Sequence, residues 1–385
     1  MKKIIFLLLL LTACRSQATE CVTGAAQVDE YISLLQGKRV GLTANHTSLV
    51  GDKHLVDVLV AQGINIVCIY SPEHGFRGTA DAGAHIASDK DPATGIPIVS
   101  LYGKNRKPAA KDLEKIDYMV FDMQDVGLRF FTYLSTLHYV MEACAEQGIP
   151  LLILDRPNPN GFYVDGPVLE TQHRSFVGMH PIPVVHGMTL GELAQMINGE
   201  QWLNKGVQCA ITVIPCKHYT RQTLYRLPVK PSPNLPNMQA VYLYASLCFF
   251  EGTAISLGRG TEFPFQVFGH PDFKAVYSFS FMPESTQGAS NPPLKNQLCY
   301  GVDLRNYPES ELISNPHIRL EWLLEAYKNF SKKSEFFTNY FTTLWGTTRI
   351  QKMIEQGASE QQIRDSWQAE VEQFLILRKQ YLLYE

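Results

Sequence analysis

The feature that most constrains this chain is an alternation, through its first half, of short apolar runs with stretches of helical spacing. Apolar runs at 38–43, 64–70, 96–101, 118–121, 150–154 and 208–214 read as strands, and 53–62, 109–115, 129–146 and 190–198 read as helices. Short apolar strands separated by amphipathic helices specify a parallel sheet covered by helices on both faces, a Rossmann-like α/β fold. Gly63 and Gly148 stand where two helices must stop before the next strand, the usual place for a C-terminal glycine. Thr189, with Glu192 three residues on, has the spacing of a capping box.

An open parallel sheet binds its ligands beyond the carboxyl ends of the strands. Here those ends read Asn45-His46-Thr47-Ser48, then Ser71-Pro72-Glu73-His74-Gly75-Phe76-Arg77-Gly78, Tyr102-Gly103, Asp122-Met123-Gln124-Asp125-Val126-Gly127 and Asp155-Arg156-Pro157-Asn158. Polar groups beside Gly or Pro at five successive ends make a site, because loops set by rigid strands are where function usually sits. No Gly-x-Gly-x-x-Gly follows the first strand, and no P-loop, Gly-x-Ser-x-Gly, His-Glu-x-x-His or Cys-x-x-Cys occurs, so neither cofactor nor metal is expected.

What remains is carboxylates: Glu73, Asp122, Asp125, Asp155 and Glu251. Two carboxyl groups flanking a bond, one protonated and one ionised, are the minimal equipment for glycoside hydrolysis. Glu73, in a turn between Pro72 and Gly75 with His74 and Arg77 beside it, is the best acid, and Asp125 its natural partner, with Gly127 leaving room for a ligand. Asp122 reads equally as a strand-end residue bonding backbone, and Asp155 beside Arg156 as a structural ion pair. Asn45, Tyr102, Gln124, Asn158 and His186 are the polar candidates for holding substrate. Farther on, Glu251 and Arg259, the latter between Gly258 and Gly260, form a second ligand loop; Arg259 reads alternatively as an anchor of the domain interface.

Four prolines in 227–236 mark a stiff extended segment, either a crossing between domains or the rim of a cleft. The expected division is a catalytic domain over 21–227 and a C-terminal domain over 228–385, the latter with helices near 238–250, 318–329 and 361–384.

The first residues carry an address. Lys2 and Lys3 precede the apolar run 4–11 and then Leu11-Thr12-Ala13-Cys14. This is a secretory signal over 1–13, too short to span a bilayer, and its ending resembles a bacterial lipobox, which implies lipidation of Cys14. With no Asp after the cysteine, the expectation is an outer-membrane anchor facing the periplasm of the bacterial envelope. Loss of the two lysines takes the net charge from −3 to about −5, which argues against nucleic acid or an anionic lipid surface as partner. The seven other cysteines are scattered and mostly in apolar runs, and read as core residues rather than a disulfide framework.

The blocks Ser71-Pro-Glu-His-Gly-Phe-Arg-Gly78, Phe121-Asp-Met-Gln-Asp-Val-Gly127, Asp155-Arg-Pro-Asn-Pro159, His186-Gly-Met-Thr189, Pro231-Ser-Pro-Asn-Leu-Pro236, Glu251-Gly-Thr253 and Gly258-Arg-Gly-Thr261 resemble, in order, those of the exo-acting peptidoglycan β-N-acetylmuramidases, a family long catalogued as a domain of unknown function. The resemblance runs from about residue 37 to the C-terminus. It implies a Rossmann-like domain, a smaller C-terminal α+β domain and a cleft between them. It also implies release of N-acetylmuramic acid from the non-reducing ends of peptidoglycan fragments, with Glu73 as acid/base. The lactyl carboxylate of such a muramyl saccharide needs a cation, for which Arg77, Arg129 and Arg259 are the candidates. Two alternatives from the residues stay open: a saccharide-binding lipoprotein that does not cleave, and a metal-assisted amidase or esterase using His46, His74 and Asp125.

Overall fold

The structure is a computed structural model and describes residues 20–72, 76 and 89–385. In chain order it comprises α1 (Val28–Leu35), β1 (Arg39–Ala44), a small hairpin of β2 (Leu49–Val50) and β3 (Lys53–His54), α2 (Leu55–Ala61), β4 (Asn65–Ser71), β5 (Asp89–Lys90), β6 (Pro97–Ser100), α3 (Ala110–Leu113), β7 (Tyr118–Asp122), α4 (Tyr133–Gln147), β8 (Leu151–Leu154), α5 (Leu190–Gly199) and β9 (Ile211–Ile214). The second half adds α6 (Met238–Leu247), β10 (Val267–His270), β11 (Phe279–Phe281), β12 (Cys299–Asp303), α7 (Glu309–Ser314), α8 (Leu320–Asn329), α9 (Lys333–Phe336), α10 (Asn339–Trp345), α11 (Arg349–Glu355) and α12 (Glu360–Arg378).

Six strands run parallel in the order β6-β4-β1-β7-β8-β9, with β5 added antiparallel at the edge. The register sets Thr43 opposite Tyr70, Ala44 opposite Asp122 and Leu154 opposite Ile214, so the carboxyl ends of neighbouring strands form one rim. Alternation along the strands divides the side chains between two faces. Val120, Leu152 and Leu154 join Tyr31, Leu35, Val56 and Leu59 of α1 and α2 on one face. Met119, Phe121, Leu151 and Ile153 face α4 and α5, and the same continuous core takes in Phe249, Trp345 and Trp367 from the second half. There β10, β12 and β11 form an antiparallel sheet. The expected α/β class and the smaller α+β portion are therefore both present.

The local signals act as chemistry requires. Gly148 ends α4 in the left-handed conformation (φ 67°), and Thr189 and Glu192 close a full capping box on α5. Other limits differ from expectation for identifiable reasons. The helix expected from 129 begins at Tyr133, because Leu128 and Arg129 are engaged by backbone pairing with 184–185. The strand expected from 208 begins at Ile211, because the Asn198 side chain holds both the N–H and the carbonyl of Cys209. The last helix stops at Arg378 and the chain turns so that the N–H groups of Leu383 and Tyr384 donate to Glu192. Among the described residues no helix is long and apolar enough to cross a membrane.

Candidate active site

The rim at the strand ends is wired from β1 to β7. Asn45 is fully buried; its Oδ1 accepts from the N–H and hydroxyl of Thr47 (2.9 and 2.6 Å), and Thr47 Oγ1 in turn accepts the N–H of Gln124 (3.0 Å). Gln124 Nε2 donates to the carbonyls of Asp125 and Pro157, which fixes the β7 loop against the β8 loop. Oδ2 of the Asp125 carboxyl accepts the N–H of Gly127 at 2.6 Å, while the buried Oδ1 has no partner among the described residues. Asn45 Nδ2, Ser71 Oγ and Gln124 Oε1 are likewise buried with no partner among the described residues. Buried polar atoms are nearly always satisfied, and four orphans on three adjacent strand ends mark a place built to receive polar groups from elsewhere. Burial pushes Asp125 up to about 7, against the pull of the Gly127 and Val126 N–H groups.

Glu73, His74 and Arg77 lie outside the described residues, as does Cys14. The flanks of 73–75 are fixed, however. Ser71 and Pro72 are buried at the end of β4, and Phe76 is buried with its ring edge-on to His54 at 4.6 Å. His54 Nε2 donates to the Asn45 carbonyl at 2.8 Å, so Phe76 packs beside the Asn45 end of β1. Tyr102, half-buried, follows β6 on the same rim.

Several expected ligand groups serve the scaffold instead. Arg129 is buried and donates to the carbonyls of Pro167, Ile182, Leu344 and Trp345, which ties the sheet domain to α10 and leaves its guanidinium no route to a ligand. The interface anchor considered for Arg259 is thus Arg129. Asn158 is buried, donates to the Met188 carbonyl and accepts from the Asn160 N–H. Gly127 does not open space for a ligand: at φ +80° a Cβ there would meet Asn158 Oδ1, so the protein's own side chain makes the close approach. His186 is fully buried; Nδ1 accepts the Met188 N–H, and burial with Arg378, Arg129 and Arg221 nearby lowers it to about 3, so it is a neutral ring inside the domain.

Asp122 does not rest on backbone alone, and Asp155 does not pair with Arg156. Arg156 pairs bidentately with Asp122 across the strands (2.5 and 2.9 Å), and Asp155 instead accepts from the Thr189 hydroxyl, the Gly191 N–H and the Tyr384 hydroxyl. Both are structural.

The second region is a cavity of about 420 Å³ lined by Phe250, Glu251, Thr253, Arg259, Tyr340 and the 288–293 loop, inside the usual range of about 300–1,000 Å³ for ligand pockets. Arg259 Nε donates to Glu251 Oε1 at 2.6 Å, and its guanidinium lies 5.0 Å from the Phe265 ring. Glu251, Arg259 and Tyr340 also line a smaller cavity that reaches Phe131, Tyr133 and Ser232. The proline-rich segment joins the two regions. The Lys230 carbonyl lies 2.9 Å from His46 Nε2, the Pro231 carbonyl accepts from the Tyr133 hydroxyl, and Asn234 Nδ2 donates to the Gly288 carbonyl. The segment therefore touches both regions, as a rim would. Tyr340 and the 288–293 loop carry no motif, and Thr47 differs from any strand-end threonine only in its partners, so sequence reasoning missed them.

A buried carboxyl on the rim of an open parallel sheet, with a chain segment that contacts both His46 on that rim and the wall of an ion-paired cavity, makes a ligand-binding arrangement at the carboxyl ends of the strands. Family models for the N-terminal and C-terminal parts of the exo-β-N-acetylmuramidase NamZ match residues 40–239 and 242–384. The chain belongs to that family. It is 39% identical over 376 residues, 92% of this chain and 89% of that protein, to the peptidoglycan β-N-acetylmuramidase NamZ of Bacillus subtilis. Two crystal structures of DUF1343 family proteins from Bacteroides fragilis superpose with TM-scores of 0.89 and 0.79, at 51% and 30% identity, each over 95% of this chain and 99% of theirs.

Proposed function

We propose that this protein is an exo-β-N-acetylmuramidase that removes N-acetylmuramic acid from the non-reducing ends of peptidoglycan fragments. Membership of the NamZ family across both halves of the chain carries this reading. In it, Glu73 is the acid/base and Asp125 its carboxylate partner. The support for Asp125 is its buried Oδ1, without a partner among the described residues, and a proton affinity lifted by burial to about 7, near the operating range of an acid or base. The support for Glu73 is its place between two buried residues, Pro72 and Phe76, the latter packed on the His54 that bonds the Asn45 carbonyl. Arg259, exposed to the cavity and oriented by Glu251, supplies the cation for the lactyl carboxylate.

Cys14 carries a lipid that anchors the mature chain to the outer membrane on its periplasmic side, with the join between the two domains at 228–236. The Leu-Thr-Ala-Cys ending supports the anchor; Cys14→Ser moves the protein to the soluble fraction if it is right.

A chromogenic β-N-acetylmuramide and its glucosaminide counterpart, offered to wild type and Glu73→Gln, test the activity. Turnover of the muramide by wild type alone is expected. No muramide turnover by wild type overturns the activity, and undiminished turnover by the variant overturns the role of Glu73.

A further inference from the structure

Away from the site, the start of the described chain is stitched to the end of β9. Val22 and Lys217 exchange both backbone hydrogen bonds, at 2.9 and 2.8 Å, in an isolated antiparallel bridge. Side chains alternate along such a bridge, so Cys21 and Cys216, one on each strand and each next to the paired residue, project from the same face. There they meet in a small cluster with Tyr219 and Tyr384. Both are thiols in the structure, and Cys216 donates to the Asp155 carbonyl at 3.3 Å. Neither has a part in the reaction proposed above.

We propose that Cys21 and Cys216 are a dithiol–disulfide site which, on oxidation by a small-molecule or protein disulfide, ties the segment ahead of α1 to the end of β9. The two thiols are unequally placed, as this chemistry needs. Cys21 is partly exposed and Cys216 is buried. The neighbouring Cys216 lowers the Cys21 pKa, and exposure makes Cys21 the attacking thiol. Its sulfur attacks one sulfur of the donor disulfide and displaces one donor thiolate, which takes up the Cys216 proton. Cys216 then attacks Cys21 Sγ in the mixed disulfide, forming the Cys21–Cys216 bond and releasing the second donor thiol. Two protein thiols are oxidised and one donor disulfide is reduced to two thiols.

A second pair within the molecule is the internal contrast. Cys144 of α4 and Cys209 ahead of β9 are also neighbours, but both are buried, with no exposed sulfur to start the exchange. The odd, scattered cysteine count thus conceals one reactive pair without being a disulfide framework.

The test is incubation of the full chain with oxidised glutathione, denaturing alkylation and peptide mass spectrometry. A linked Cys21–Cys216 peptide is expected in wild type and Cys144→Ser, and in neither Cys21→Ser nor Cys216→Ser. Alkylation of both Cys21 and Cys216, a glutathione adduct on Cys21 that never resolves, or a link at Cys144–Cys209 in its place would each overturn the proposal. Melting temperatures supply a readout independent of the variants' folding. Reduction of the oxidised wild type should lower its melting temperature, and an unchanged value would also count against the tie.

Discussion

The strand-end rim and the Glu251–Arg259 cavity both hold charged groups, but in opposite states of satisfaction. At the rim, Asp125 is buried with one oxygen that has no partner among the described residues, and Asn45, Ser71 and Gln124 each keep a buried polar atom in the same state. In the cavity the charges are neutralised in advance, with Arg259 on Glu251 at 2.6 Å beside open volume. A buried unpaired carboxyl costs stability and holds its proton near neutrality, which is what proton transfer requires. A paired, accessible arginine costs little and keeps donors free for an incoming carboxylate. On the function proposed above, this difference is the ground for placing chemistry at the rim and recognition in the cavity.

The sharpest way to break this assignment is to remove the carboxyl groups of the rim. Glu73→Gln and Asp125→Asn should each lower kcat on a muramide by about 10²–10⁴-fold, the range for a lost acid or base, with KM changed far less. Asp125→Asn should also reveal what the carboxyl costs. Burial lifts its folded-state value to about 7 from an ordinary 3.8, so the native state binds this proton more tightly than the unfolded chain does. Its contribution is therefore most favourable below pH 4, is lost as pH rises towards 7, and stays lost above it. The variant should melt above wild type at pH 8, with the gap closing towards pH 4. Equal melting curves at pH 8 would remove the argument that this carboxyl is held at a cost.

Next in size is the arginine that belongs to neither region. Arg129→Met leaves four buried carbonyls without their donor and should destabilise the protein by about 3 kcal/mol or more, read as a denaturation midpoint. KM for the muramide should stay unchanged in the fraction that remains folded. A KM effect without a stability effect would return Arg129 to the ligand.

Arg259→Ala probes the cavity directly. Losing a charge-assisted contact worth about 1.5–3 kcal/mol should raise KM for the muramide by roughly 10–100-fold with kcat largely kept. Discrimination against the glucosaminide, which lacks the lactyl carboxylate, should collapse to match. If kcat falls instead, the division between chemistry and recognition is wrong.

The contrast between the regions also separates what the sequence made legible from what it did not. Local patterns survived folding. Apolar alternation placed the strands, Gly148 ended its helix, Thr189 and Glu192 capped theirs, and the five polar strand ends fell on one rim. Choices of partner did not survive. Arg156 takes Asp122 from the neighbouring strand over adjacent Asp155, and Asp155 takes Tyr384 from the far end of the chain. Such pairs depend on strand register and chain return, which no local pattern carries. The same holds for Arg129 and Arg259, two arginines in glycine-containing loops whose roles turn on what packs above them. Arg129 has α10 over it, whereas Arg259 has open volume. The cavity wall at Tyr340 and 288–293 was invisible for the plainer reason that a lining made by loops from the second half has no periodicity to read.

The smallest expected effect tests whether the two regions work as one. Asn234, in the proline-rich segment, is buried and donates to the Gly288 carbonyl at 2.9 Å, while Lys230 and Pro231 a few residues earlier contact His46 and Tyr133 on the sheet side. The prolines limit how far one end of this segment moves without the other. Asn234→Ala removes one hydrogen bond to the cavity wall and should cost about 1 kcal/mol of stability. If the segment only rims the cavity, KM for the muramide rises a few-fold and kcat holds. If it also sets the rim around His46, kcat falls with it, and Asn234→Asp, which cannot donate to Gly288, reproduces the fall. Measuring kcat and KM on both variants distinguishes a shared wall from a coupling between recognition and chemistry.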